Sequence, residues 1–410
     1  MQIFRYKNYA FLKLLSFRIL IVLAYQMTAV VVGWHIYEIT HDTLSLGLIG
    51  LAEVAPYFCC ALFAGHAVDH HYSRRLFGGL AATLLCINAV ILTVISFGWF
   101  VNSSGNNAAL WIYGSIAFTG IARAFIAPSY NTLFALILPR EEYARASGIS
   151  STVIQTGLVL GPALGGLLVG FTSKTTAYAI ASLLYLGAII AMASLRITEP
   201  KKPESTTVFS SIAEGLRFVF HSQIVRSALA LDMFAVLFGG AVSMLPAFIQ
   251  DIYHYGPEGL GILRAAPATG AILAGVWLMR HPVHERTGYW LLRAVAAFGF
   301  CIIGFALSTH FWVAAVLLLF SGIFDGASVV MRQTILQLAT PDNMRGRVSA
   351  INGIFIGSSN ELGALESGIA ARLMGLIPSV IFGGIMTLGV VGITARFAPK
   401  LRQLELHHLH

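Results

Sequence analysis

The chain is 410 residues long, 57% hydrophobic and only 11% charged. Its mean hydropathy of +0.77 excludes a soluble domain of that length and describes an integral membrane protein. The formal net charge of +8 is expected on the cytoplasmic rim, where orientation requires basic residues, so a nucleic-acid partner is not expected.

Apolar runs long enough to cross a hydrocarbon core, about 20 residues each, fall in chain order near 11–38, 46–68, 76–99, 108–138, 147–171 and 175–197. After a polar connection they return near 227–250, 259–280, 287–308, 311–339, 348–371 and 376–396. Every backbone polar group must be satisfied inside the span, so an all-helical membrane protein with 12 spans in two sets of six is expected. An N-terminal bundle covers 1–197, a cytoplasmic linker 198–226, and a C-terminal bundle with a short tail 227–410.

The two sets repeat each other. Phe118, Gly120, Ile121, Thr132, Leu136, Pro139, Arg145, Ser147 and Ile149 align without a gap on Phe320, Gly322, Ile323, Thr334, Leu338, Pro341, Arg347, Ser349 and Ile351. The same register carries Gly161 onto Gly363 and Gly166 onto Gly368, and a slightly different one carries Gly50 and Pro56 onto Gly261 and Pro267. A duplication of half the chain is the sign of a transporter built from internal repeats.

Arg5, Lys7, Arg74, Arg75, Arg140, Arg145, Lys201, Lys202, Arg280, Arg286, Arg345, Arg347, Lys400 and Arg402 gather at one set of span ends, whereas the opposite loops hold little beyond Lys174. Both termini are therefore expected in the cytoplasm, in a multi-pass protein of a bacterial-type inner membrane. No signal peptide is expected, since a short apolar core with a small-residue cleavage site is missing at the start. In the linker, Ile212, Leu216, Phe218, Val219 and Ile224 alternate with Glu214, Arg217 and His221 at helical spacing, which predicts an amphipathic surface helix. Cys59, Cys60, Cys86 and Cys301 lie inside spans without paired spacing and read as apolar filler, and the His407, His408 and His410 tail reads as solvated.

Two motifs stand out. After the second span runs Gly65-His66-Ala67-Val68-Asp69-His70-His71-Tyr72-Ser73-Arg74-Arg75, and the fifth span reads Gly157-Leu158-Val159-Leu160-Gly161-Pro162-Ala163-Leu164-Gly165-Gly166. The first resembles the cytoplasmic signature of the major facilitator superfamily, with His70 where an Arg is usual. The second resembles the GxxxGPxxGG motif of its proton-driven exporters. Together with Ile335-Leu336-Gln337, Thr340-Pro341-Asp342 and Arg345-Gly346-Arg347, the layout is similar to the enterobactin-exporter and macrolide-efflux branch. The resemblance implies a central cavity, alternating access, a monomer, the proton gradient as energy source with no cofactor, and a latch made by Gly65, Asp69, Arg74 and Arg75. Small residues at Gly157, Gly161, Gly165 and Gly166 permit close helix contact, and Pro162 permits a kink.

Charges inside spans each cost about 2.5–3.5 kcal/mol at a helix centre and demand a partner or a wet cavity. They are Glu53, Arg123, Asp232, Arg264, Asp325, Arg332, Glu361 and Glu366. The repeat places Arg123 opposite Asp325 and Glu53 opposite Arg264, so an Arg123–Asp325 bridge, either switching or permanent, is expected. Glu361, Asp325, Glu366 and Asp232 are the candidate proton carriers. Arg123, Arg332, Gln26, Tyr25, Asn131, Gln155, Gln333, Asn360 and Phe234, with His35, are candidate substrate contacts, and two arginines would suit an anionic or phenolate-bearing amphiphile.

The expected function is proton-coupled export of a small organic amphiphile, a siderophore being the first choice. Broad drug or macrolide efflux, lysophospholipid flipping and a transporter-like ligand sensor remain open beside it. No His-Glu-x-x-His, Gly-x-Ser-x-Gly or phosphate loop is present, so neither an enzyme nor a metal site is expected.

Overall fold

A computed structural model describes residues 2–70, 74–98, 106–139, 142–197, 208–281, 283, 285–341 and 344–405. It is all helical. Helices α1 (Gln2–Thr40), α2 (Thr43–His70), α3 (Arg74–Ser96), α4 (Asn106–Ile137), α5 (Tyr143–Phe171) and α6 (Lys174–Ala193) lie close to the first six expected spans. After α7 (Val208–His221), α8 (Gln223–Phe238), α10 (Pro257–Arg280), α11 (Thr287–Leu307), α12 (Phe311–Ala339), α13 (Arg345–Met374) and α14 (Leu376–Phe397) supply the second set. A four-residue turn, α15 (Pro399–Arg402), closes the described chain.

Among the described residues, 11 helices are long and apolar enough to cross a membrane, against the 12 expected. The missing one is α13. At 30 residues it has the length of a span, but Asn352, Asn360, Glu361, Glu366 and a run of serines dilute its apolar character. Three of its polar residues, Asn360, Glu361 and Glu366, are among those singled out above as candidate proton carriers and substrate contacts.

The seventh span is broken rather than straight. Helix α8 stops at Gly239, and the chain continues through a 3-10 turn (Gly240–Met244), the short α9 (Leu245–Ala247) and a π-turn (Phe248–Tyr253). Two consecutive glycines weaken the helix, and Pro246 removes a backbone donor. Gly240 also packs tightly on α13, where a β-carbon would meet the Ser367 hydroxyl at 2.6 Å.

The chain forms two compact units. The first comprises residues 1–41, 51–206 and 255–265, the second 42–50, 207–254 and 266–410. Each unit therefore includes the first turns of a helix whose remainder lies in the other: α2 begins in the second unit, and α10 begins in the first. In the first unit α1 packs on α4, α5 and α6, and α3 on α4 and α6. Its core joins Leu14, Phe17 and Ile21 of α1 to Leu85 of α3, Leu133 of α4 and Tyr185 of α6. In the second, α8 packs on α13 and α14, and α11 on α12 and α14, with Leu401 and Leu404 of the tail buried against Leu291 and Val295.

Glycines set the closest crossings. In the first unit Gly157, Gly161 and Gly165 of α5 lie against Val22, Gln26 and Met27 of α1, and Gly166 meets Gly261 at the start of α10. The second unit repeats the device, with Gly363 of α13 on Leu237 of α8, and Gly368 on Gly47 at the start of α2. The expected amphipathic helix is present as α7. Its Val219 is buried with Val225, Leu336, Val348 and Ile351, and Leu216 and Phe218 pack beside them.

Candidate functional site

Polar side chains in the first unit converge where α1, α2 and α4 cross. Arg123, near the middle of α4, forms an ion pair with Glu53 of α2. The Tyr25 hydroxyl of α1 sits between the two, donating to the Glu53 carboxylate and accepting from the Arg123 guanidinium, each at 2.9 Å. The guanidinium also lies 4.8 Å from the Tyr25 ring centre and 5.9 Å from that of Tyr57. An arginine so placed has a carboxylate in front and aromatic faces beside it.

Gly120 makes this arrangement possible. One turn before Arg123, it lets α4 approach α2 so closely that a β-carbon would run into the main-chain carbonyl of Glu53. Its repeat, Gly322, lies against the carbonyl of Pro267 in the second unit. The approach is thus built twice, and in the first unit it brings the Glu53 carboxylate to Arg123.

The second unit has its own intramembrane pair elsewhere. Arg332 of α12 binds Asp232 of α8, with side-chain exposures of only 3% and 9%. In the first pair Arg123 is 31% exposed and Glu53 8%. One pair is sealed, whereas the other keeps its guanidinium partly open.

The carboxylate on Arg123 in this structure is therefore Glu53, from its own unit. Helix packing chose the partner: α2 and α4 touch through Gly120, and alignment of repeats gives equivalence, not contact. Glu53 is likewise engaged by Arg123 rather than by Arg264, its equivalent. Asp325 is half-buried midway along α12 and has no polar partner among the described residues. Glu361 and Glu366 are partly buried on α13, and the main chain of Glu361 lies against Gly50.

The other expected contacts are scattered. Gln26, Gln155 and Gln333 are partly buried, while Asn131 is exposed. Asn360 is exposed and donates to the Ile356 carbonyl at 2.9 Å, and Phe234 is 39% exposed. His35 is buried against the Tyr178 hydroxyl at 3.3 Å, away from the arginines. In the cytoplasmic signature, Arg74 is buried and Arg75 donates to the Leu195 carbonyl. Residues 71–73, the surroundings of Gly65 and the side chain of Asp69 lie outside what is described, as does the histidine tail.

Tyr57 was not anticipated as part of the site. The signal was present, since Tyr57 lies four residues after Glu53 and so on the same helical face. Gly120 was read only as a repeat marker, although a glycine one turn before a buried arginine marks a close approach.

The sequence pattern of the Major Facilitator Superfamily matches residues 14–364. The chain is 24% identical over 394 residues to the multidrug efflux pump Tap of Mycolicibacterium fortuitum, covering 93% of each protein. It is 23% identical over 399 residues to the enterobactin exporter EntS of Salmonella typhi, covering 93% of this chain and 92% of that one. Among solved structures, a POT family transporter in complex with 5-aminolevulinic acid superposes with a TM-score of 0.75 at 10% identity, covering 95% of this chain and 96% of that chain. The chain belongs to the Major Facilitator Superfamily.

Proposed function

We propose that the protein is a proton-coupled exporter working by alternating access across a bacterial inner membrane, with 12 spans and both termini in the cytoplasm. The observation that carries this reading is the Tyr25–Glu53–Arg123 cluster, a buried carboxylate balanced by a half-exposed guanidinium. While Glu53 is charged, Arg123 is held to it. A proton on Glu53 cancels the attraction, so one event at one oxygen alters the contacts of three helices. Asp325, with no fixed partner, is the second proton carrier, and Glu361 and Glu366 serve on α13. Asp232 drops out of that role in this reading, because Arg332 holds it in a sealed pair.

Export against an inward proton flow requires proton and substrate to exclude one another. A substrate that presents hydrogen-bond donors or a positive charge to Glu53 competes with the proton directly. An anion on Arg123 would instead bind best when Glu53 is protonated, which favours co-transport. The cluster therefore supports an amphiphile with a donor-rich or cationic head, displacing the anionic preference that two unmatched arginines would imply. A protonated catechol siderophore meets the first description and a lipophilic cationic drug the second. EntS and Tap, the siderophore exporter and the drug pump, are equally distant relatives.

Everted vesicles carrying an acidic interior and a fluorescent ΔpH probe test this. Adding enterobactin or ethidium is expected to dissipate part of the gradient, and Glu53→Gln to abolish the response to either. Dissipation undiminished in Glu53→Gln would remove the cluster from coupling. Uptake of both compounds without any proton movement would remove antiport altogether.

A further inference from the structure

The two helices that begin at basic corners, α3 and α11, expose different faces. On α3 the exposed residues are apolar from the first turns onward: Leu76, Leu80, Ile87 and Val90. Its two leading arginines are taken up by the protein, Arg74 by burial and Arg75 by the Leu195 carbonyl. On α11 the outer stretch is likewise apolar, with Phe300 and Leu307 exposed. Its first two turns are not. Arg286, Tyr289, Trp290 and Arg293 are all exposed there, along one side of the helix.

Arg293 stands about 9 Å along the helix from its start, at 1.5 Å per residue, on a face continuous with the apolar stripe. Its guanidinium carbon is 4.3 Å from the Tyr289 ring centre and 5.4 Å from that of Trp290. The two rings meet edge to face at 68°. Neither Arg286 nor Arg293 forms an ion pair among the described residues. Arg286 itself adopts a left-handed conformation, φ 50°, which turns the chain at the head of the helix.

An unmatched guanidinium facing lipid at shallow depth is costly unless an anion joins it. Planar donors match a phosphodiester in pairs, and Tyr and Trp favour headgroup depth, where one edge is wet and the other apolar. We propose that Arg286 and Arg293, with Tyr289 and Trp290, form a binding site for the phosphate of an anionic phospholipid in the leaflet at the basic ends of the spans. Arg293 is pre-oriented by its aromatic neighbours, so the headgroup meets a fixed donor rather than a mobile one. The lipid's acyl chains would then run along Phe300 and Leu307. Among the described residues the equivalent corner of the first unit spends its arginines internally instead. This inference holds whether or not the transport reading above is right.

Native mass spectrometry of the purified full chain, titrated with phosphatidylglycerol and with phosphatidylcholine, reads the site directly. The parent is expected to retain phosphatidylglycerol preferentially, and Arg286→Ala/Arg293→Ala to lose that preference by about fivefold for each arginine removed. Arg196→Ala, at an exposed arginine after α6 in the first unit, is expected to keep it. Equal retention of both lipids by the parent, an unchanged double variant, or an equal loss in Arg196→Ala would overturn the assignment. Displacement of the lipid by inorganic phosphate alone would also do so, because the acyl stripe would then contribute nothing.

Should the double variant not fold, fluorescence quenching by brominated lipids replaces it. The signal lost between the parent and Trp290→Phe is expected to be quenched more strongly by brominated phosphatidylglycerol than by brominated phosphatidylcholine. Equal quenching by the two would contradict the site.

Discussion

The two units answer the same problem, a charge inside the membrane, in opposite ways. Asp232 and Arg332 in the second unit are sealed from solvent, whereas Arg123 in the first keeps 31% of its side chain exposed beside Glu53 and Tyr25. A sealed pair has no route for a proton and resists separation, because each partner would be left as an uncompensated buried charge. A half-open pair can exchange its partner. In the proposed reading the second unit's pair holds and the first's works, although the two arginines sit on helices that the repeat makes equivalent, α4 and α12.

Removing one partner of the sealed pair breaks this contrast hardest. Arg332→Ala is expected to cost about 3–5 kcal/mol of stability, read as a drop in thermal unfolding temperature in detergent. Arg332→Leu with Asp232→Leu should recover most of it. A double variant as damaged as the single would mean that the pair does more than balance charge.

Next in size, Gly120→Val should separate α2 from α4. Overpacking of this kind costs about 1–3 kcal/mol, and the chain is expected to fold while substrate-driven proton movement fails. Gly322→Val makes the matched change in the second unit, away from the Glu53–Arg123 pair, and should cost comparable stability with less effect on coupling. Equal transport in Gly120→Val and the parent would show that the close approach does not position Arg123.

Tyr25→Phe is a smaller perturbation, since it deletes one hydroxyl and keeps the ring over Arg123. A hydrogen bond to a charged group contributes about 1.5–3 kcal/mol at most, partly offset here by the remaining ion pair. A modest fall in stability with an altered pH profile of transport is expected. The exposed Lys174–Glu38 pair is weaker still, worth about 0–1 kcal/mol, and Lys174→Ala should leave melting and transport within error.

Most of the fold was legible in the sequence, because hydrophobic run length dictates helix length in a membrane. The expected 311–339 span and the observed Phe311–Ala339 helix coincide, and the linker helix appears where periodicity placed it. The broken seventh span was not legible: Gly239, Gly240 and Pro246 sit inside an unbroken apolar run, and their effect depends on what packs beside them. The charges were legible one by one, since each stands out against an apolar helix. Their pairing was not, because the alignment of Arg123 with Asp325 reports common descent, while the contact with Glu53 depends on how closely Gly120 admits α2. Arg332 and Asp232 lie a hundred residues apart without any motif to join them.

The central claim is that the Glu53–Arg123 pair is the exchangeable one. Substrate counterflow and ΔpH-driven uptake of ethidium, measured side by side in proteoliposomes containing Glu53→Gln and in others containing Arg332→Leu with Asp232→Leu, set the exchangeable pair against the sealed one. The account predicts that Glu53→Gln, which mimics the protonated carboxylate that excludes substrate, folds but loses both activities, and that the double variant keeps both. Gradient-driven uptake at the parent's rate in Glu53→Gln would contradict it.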